Sequence, residues 1–118
     1  YRALFKAALV SDTAAMEEAL TAIGFFSQTI VAEQKQAVLQ LVSLACEPLM
    51  HDSAFDFGNT DLALRLREAG TALSLQQNYW HAPPADAVFL HRKIAGMYLL
   101  AARLKAKVNV RALLQPYL

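Results

Sequence analysis

The chain has 118 residues, enough to bury a real core as one domain or as part of one. Apolar residues make up 56%, above the roughly 45–50% of ordinary soluble domains, which predicts faces buried against something beyond the chain itself. The net charge is only +1, and the longest apolar run, Ile94 to Ala102, falls far short of the about 20 residues needed to span a bilayer.

That net charge hides an asymmetry. Residues 1–59 carry three Lys/Arg and seven Asp/Glu, whereas residues 60–118 carry eight and three, and no acidic residue follows Asp86. The basic part is expected to face an acidic part of the same protein, or solvent. Six cations between Arg92 and Arg111 are a modest density for nucleic acid, so none is expected as a partner. The single cysteine, Cys46, excludes an internal disulfide and points weakly to a reducing compartment. The chain starts at Tyr1 rather than at Met and reads as a piece of a longer protein, so localisation is not read from its N-terminus.

The first predicted helix covers residues 2–10, with Leu4, Phe5, Ala8 and Leu9 buried. Ser11-Asp12 ends it and supplies a side-chain oxygen to cap a second helix over 13–23, with Met16, Leu20 and Ile23 inward. Gly24 suits that helix's C-terminal stop. Phe25 and Phe26 anchor the turn after it. A third helix spans about 30–46 and is bent or ended by Pro48, which has no N–H to donate.

From Met50 to Asn59 the chain turns polar and irregular, with Phe55 and Phe57 as aromatic pegs. Asn59 or Thr60 caps a fourth helix in which Leu62, Leu64, Leu66 and Ala69 recur, Arg65, Arg67 and Glu68 are exposed, and Gly70 leaves the end open. A connector over 76–82 holds Tyr79 and Trp80. Pro83-Pro84 then launches a long helix to about residue 106, since proline is tolerated in a first turn.

In that helix Leu90, Ile94, Met97, Ala101 and Leu104 recur at helical spacing, and Val88, Ala95, Tyr98 and Ala102 widen the stripe until little of the circumference is polar. Such a helix is expected to be surrounded by others. Asn109 caps a last short helix that stops near Pro116. No period-two alternation appears. The fold class is all-α, a compact bundle of five to seven helices around a central long helix at about 84–106, forming one helical domain or subdomain over 1–118.

Asp56-Phe57-Gly58 has the letters of the protein-kinase motif that delivers a carboxylate to magnesium. That chemistry also needs an upstream catalytic loop of the His-Arg-Asp type and a strand lysine. The nearest echo, His91-Arg92-Lys93, comes afterwards, inside a helix, with lysine where the base should be. The plainer reading is a pegged loop with Gly58 supplying a permissive backbone. His51, His81, His91 and Cys46 lack metal-ligand spacing and lie in different elements. His91 reads as a half-buried histidine bonded across helices, and Cys46 as a small core residue.

Pro83-Pro84 followed by Leu90-His91-Arg92-Lys93, Gly96, Leu99, Leu104 and Ala106 resembles the C-terminal signature of the AarF/UbiB family of atypical protein-kinase-like proteins. Phe55-Asp56-Phe57, with Gly58 and Asp61, matches that family's aromatic-Asp-Phe element, and Gly24-Phe25 matches the end of an earlier helix. The resemblance covers most of the chain in the right order. It implies the distal, helical part of a kinase-like C-terminal lobe. The ATP-binding lysine, Lys-x-Gly-Gln region, catalytic loop and magnesium-binding Asp-Phe-Gly would all lie upstream, leaving no catalytic, cofactor or metal residue here.

ATP and magnesium are implied for the parent, an ATP-dependent kinase or ATPase, together with a link to ubiquinone biosynthesis. The expected partner is the remainder of the same kinase-like domain, with a membrane surface or lipid-pathway proteins beyond it, and the setting is intracellular with membrane association through the parent. The alternative is a self-standing helical interaction module whose basic C-terminal surface takes acidic protein or anionic lipid. Within the signature, His91 is expected inward and Arg92 and Lys93 are expected to reach neighbouring carboxylates or helix-end carbonyls. Gly96 is expected to mark a close crossing, so that Gly96→Leu would be costly.

Overall fold

The computed structural model describes residues 1–118. Helices α1 (Arg2–Leu9) and α2 (Thr13–Ile23) pack through Leu4, Ala7 and Ala8 against Met16, Ala19 and Leu20. Asp12 caps α2 as expected, its Oδ1 accepting the Ala15 N–H at 3.0 Å. Gly24 ends α2 at φ 93°, in the left-handed region that costs a residue with a Cβ about 1–2 kcal/mol.

Helix α3 (Ala32–Ala45) lays Val38 and Leu39 on this pair, and the short α4 (Glu47–Met50) begins where Pro48 ends α3. Cys46 lies buried between α3 and α4. These helices and Tyr79 form the core cluster of 11 buried residues, and no residue of the long helix belongs to it. The expected centre of the bundle is therefore misplaced. The core sits among α1 to α4, and the long helix, α6 (Ala85–Arg103), lies against the side of the molecule.

Helix α6 buries only Ala87 fully, and its inward side continues through half-buried His91, Ile94, Tyr98 and Ala101. That set keeps the expected spacing of three and four but is rotated from the predicted stripe. Met97 and Leu104, expected inward, are 57% and 70% exposed. The reason is that the helix is apolar nearly all round, so periodicity alone cannot choose a face.

Helix α5 (Leu62–Thr71) does not stop at Gly70. It continues into a π-helical turn, Ala72–Gln76. Its Arg65 is half-buried rather than free, forked onto both Glu47 carboxylate oxygens at 2.7 and 2.8 Å and reaching Asp61 at 2.7 Å. Thr60 Oγ1 accepts the Leu62 N–H at 3.2 Å, while Asn59 plays no part in capping α5. Helix α7 (Val110–Leu114) starts at Asn109, whose Oδ1 accepts the Ala112 N–H.

The class is all-α with seven helices, plus one feature without a sequence signal. Strands β1 (Phe55–Asp56) and β2 (Lys107–Val108) pair antiparallel, Phe55 opposite Val108 and Asp56 opposite Lys107. Two residues per strand are too few to show alternation.

Candidate functional site

The Phe-Asp-Phe element is built as a clamp on the C-terminal end of α6. Phe57 is buried, packing edge-on to Phe55 at 4.8 Å between ring centres and against Tyr98 of α6 at 5.6 Å. Its N–H donates to the Ala106 carbonyl at 2.9 Å. Asp56 caps the 3₁₀ turn Phe57–Asn59. Its Oδ1 accepts the Gly58 N–H and its Oδ2 accepts the Asn59 amide, both at 3.1 Å. The Asn59 bond, then the Gly58 N–H and Lys107 at 3.6 Å, hold this carboxyl below its ordinary range.

Gly58 is present for closeness rather than for a special φ. It is not among the positive-φ residues, but a Cβ there would lie 2.9 Å from Lys105 Cβ and 3.0 Å from Lys105 Cα. Lys105 itself closes α6 in the left-handed region, at φ 51°.

The other end of α6 carries the remaining signature residues. Pro84 is the N-cap, and its ring lies 3.3 Å from where a Gly24 Cβ would stand. His91 is half-buried as expected, its Nε2 2.9 Å from the Tyr1 hydroxyl and its ring 5.1 Å from that of Phe25. Burial holds the imidazole below its ordinary pKa range, because it disfavours the charged ring. Leu90 is half-buried beside it. Arg92 and Lys93 do not reach carboxylates or helix ends. Both are exposed, and neither enters an ion pair or a side-chain hydrogen bond.

Gly96 also departs from expectation. Nothing lies within 4 Å of a Cβ placed on it, so no element of this chain crosses there. The predicted penalty for Gly96→Leu has no basis within these residues.

Asp56 and His91 do not converge. Asp56 is tied to Lys107 beyond the end of α6, and about 18 Å of helix separates His91 from Arg103. The likeness to a kinase catalytic pair is one of letters alone. His81 and His91, kept apart in the sequence reading, do share an open cleft of about 380 Å³, walled by Phe25, Leu41, Tyr79 and Trp80. One nitrogen of each ring is engaged, His81 Nε2 with the Gly24 carbonyl at 3.0 Å. No group of three or more His, Cys, Asp or Glu side chains converges on a point that could hold a metal ion.

Tyr98 joins the Phe57 clamp to the end of α3. Its hydroxyl donates to the Ala45 carbonyl at 2.8 Å, closing one of the free carbonyls at the end of α3. Burial, and then the neighbouring Cys46, hold the phenol above its ordinary range. The sequence reading took Tyr98 only as part of an apolar stripe.

No protein-family model matches the chain. Curated relatives do. Over 111 residues, 92% of this chain, it is 30% identical to "Atypical kinase COQ8, mitochondrial" of Saccharomyces cerevisiae. The chain belongs to the AarF/UbiB family of atypical kinase-like proteins. It is also 29% identical over 92% of its length to "Atypical kinase coq-8, mitochondrial" of Caenorhabditis elegans, and 34% identical over 67% to "Atypical kinase COQ8B, mitochondrial" of Rattus norvegicus. The chain spans only 14%, 15% and 22% of the worm, rat and yeast proteins, so its AarF/UbiB relatives are several times longer.

Proposed function

We propose that residues 1–118 are a non-catalytic, C-terminal helical segment of an AarF/UbiB-like atypical kinase or ATPase. The parent supports ubiquinone biosynthesis and works in mitochondria, as the names of its relatives place them, with membrane association through the parent. ATP and magnesium are held by residues outside this segment, and its partner is the remainder of the same kinase-like domain. The observation that carries the reading is the match itself, which takes up 92% of this chain but at most 22% of a relative. The chemistry of the signature residues supports it. Asp56 spends both oxygens on its own turn, and His91 is half-buried and engaged with Tyr1.

Calorimetry with Mg-ATP tests the proposal on two proteins. The full-length protein is expected to bind nucleotide and the 118-residue segment to give no heat. Tight binding by the segment alone would overturn it.

One observation favours a second reading, a helical module with a basic surface for acidic protein or anionic lipid, such as a membrane or lipid-pathway proteins. Arg92, Lys93 and Arg103 are exposed without ion partners. Sedimentation of the segment with anionic but not neutral vesicles, weakened by salt, would support that reading over the first.

A further inference from the structure

The outward face of α6 combines exposed apolar side chains, cations without ion partners and a mid-helix glycine. Taking about 100° per residue, Phe89, Arg92, Lys93, Gly96, Leu100 and Arg103 lie within about 60° of the line opposite the packed face. Phe89 is 68% exposed and Leu100 is 49% exposed, with Leu99 and Leu104 flanking them. At the middle stands Gly96, with nothing within 4 Å of its missing Cβ. A glycine inside a helix costs about 1 kcal/mol relative to alanine, and no contact within these residues requires one there.

We infer that this face is a helix-crossing site, with Gly96 as the saddle, and that its occupant is a helix of the same polypeptide outside residues 1–118 bearing carboxylates beside an apolar stripe. The inference rests on the proposed membership of a longer kinase-like chain and deepens it by locating the contact. The relatives run well beyond the matched region, so the occupant can be covalently present. Its charge follows from Arg92, Lys93 and Arg103, which have no carboxylate in this chain.

A second copy fits poorly. The face holds no acid, because none follows Asp86, so pairing it with itself sets cation against cation. A membrane surface also fits poorly. Arg92 and Arg103 flank Gly96 within the apolar face instead of forming a separate polar one, and interfacial helices separate the two. Packing at a glycine lets helix axes approach to the short end of the usual 8–10 Å.

Hydroxyl-radical footprinting of the purified full-length protein tests this. Phe89, Leu99 and Leu100 are expected to lose labelling at every protein concentration and without lipid. Full labelling overturns the inference. So does protection that appears only at high concentration, which means a second copy, or only with anionic vesicles, which means a membrane. Gly96→Leu is expected to restore labelling of the face and lower the melting temperature of the full-length protein, with Gly96→Ala milder. An unchanged footprint and melting temperature in Gly96→Leu count against the crossing. If Gly96→Leu does not fold, the unmodified protein's footprint still decides. Mg-ATP binding by the same preparation separates the two failures, because a labelled face on a nucleotide-binding protein sinks the crossing and leaves the parent reading standing.

Discussion

Gly58→Ala offers the sharpest test of the clamp between residues 55–59 and the end of α6. The added methyl would stand 2.9 Å from Lys105 Cβ, 3.0 Å from Lys105 Cα and 3.1 Å from Lys105 Cγ. Two of these atoms are at or next to the backbone, so rotating a flexible side chain cannot relieve the contact. Lys105 is already held at φ 51°, and the turn is tied to Ala106 through the Phe57 N–H. The methyl therefore has to push the ribbon open or distort the close of α6. Overpacking of this kind costs about 1–3 kcal/mol, and the lower chain entropy of alanine returns about 0.4–1 kcal/mol. A net loss of about 1–2 kcal/mol corresponds to a fall of roughly 4–8 °C in melting temperature for a domain near this size. The assay is thermal and urea unfolding followed by circular dichroism.

Gly70→Ala is the matched control. Gly70 lies inside α5 with nothing within 4 Å of an added Cβ, so alanine there is expected to stabilise by about 0.5–1 kcal/mol. Opposite signs at two glycines would identify contact with Lys105 as the cause, and Lys105→Gly should recover part of the Gly58→Ala loss. If Gly58→Ala proves as benign as Gly70→Ala, the close approach is wrong.

Two further predictions concern buried groups. The Cys46 thiol is buried and pushed up to about 11, so a maleimide at pH 8 should leave it unmodified in the folded chain and label it fully in denaturant. Rapid labelling of the folded chain would refute its placement in the core. The His91 pKa is lowered by burial, so the unfolded chain takes up a proton more readily than the folded one. Stability from the neutral ring is then fully present above the unfolded value of about 6.5 and is lost as pH falls from there through the folded value. Denaturation midpoints measured from pH 7.5 to 5 should fall with acid, and His91→Gln should flatten that slope. An equal slope in the variant would place the titrating group elsewhere.

Features set by local chemistry were legible in the chain. Asp12 stands one residue before α2 and Gly24 one residue after it, and each cap needs only its own helix end. The spacing of α6 was legible too, but its phase was not. The expected stripe is centred on leucines and methionine, with Tyr98 only at its edge and His91 outside it although expected inward, whereas the packed side runs through His91 and Tyr98. Their burial depends on Tyr1 and on the Ala45 carbonyl, 90 and 53 positions away, and no local window contains those partners. Arg65 was misjudged for the same reason, because the carboxylate it forks onto lies 18 residues back on α4. Gly96 is the instructive miss. The helix has the residue a crossing needs, but nothing in these 118 residues crosses there.

The pairing of Phe55 with Val108 has a consequence for the order in which the chain assembles. It ties into one closed loop everything between those residues, including α5, the π-helical turn and α6. Closing so long a loop is entropically costly, and two residue pairs return little until the Phe57 ring is seated on Tyr98. The hairpin of α1 and α2 is local and gains its contacts early. The ribbon is therefore expected to zip last and part first, and its opening would release α6 from its C-terminal end while α1 to α4 stayed folded.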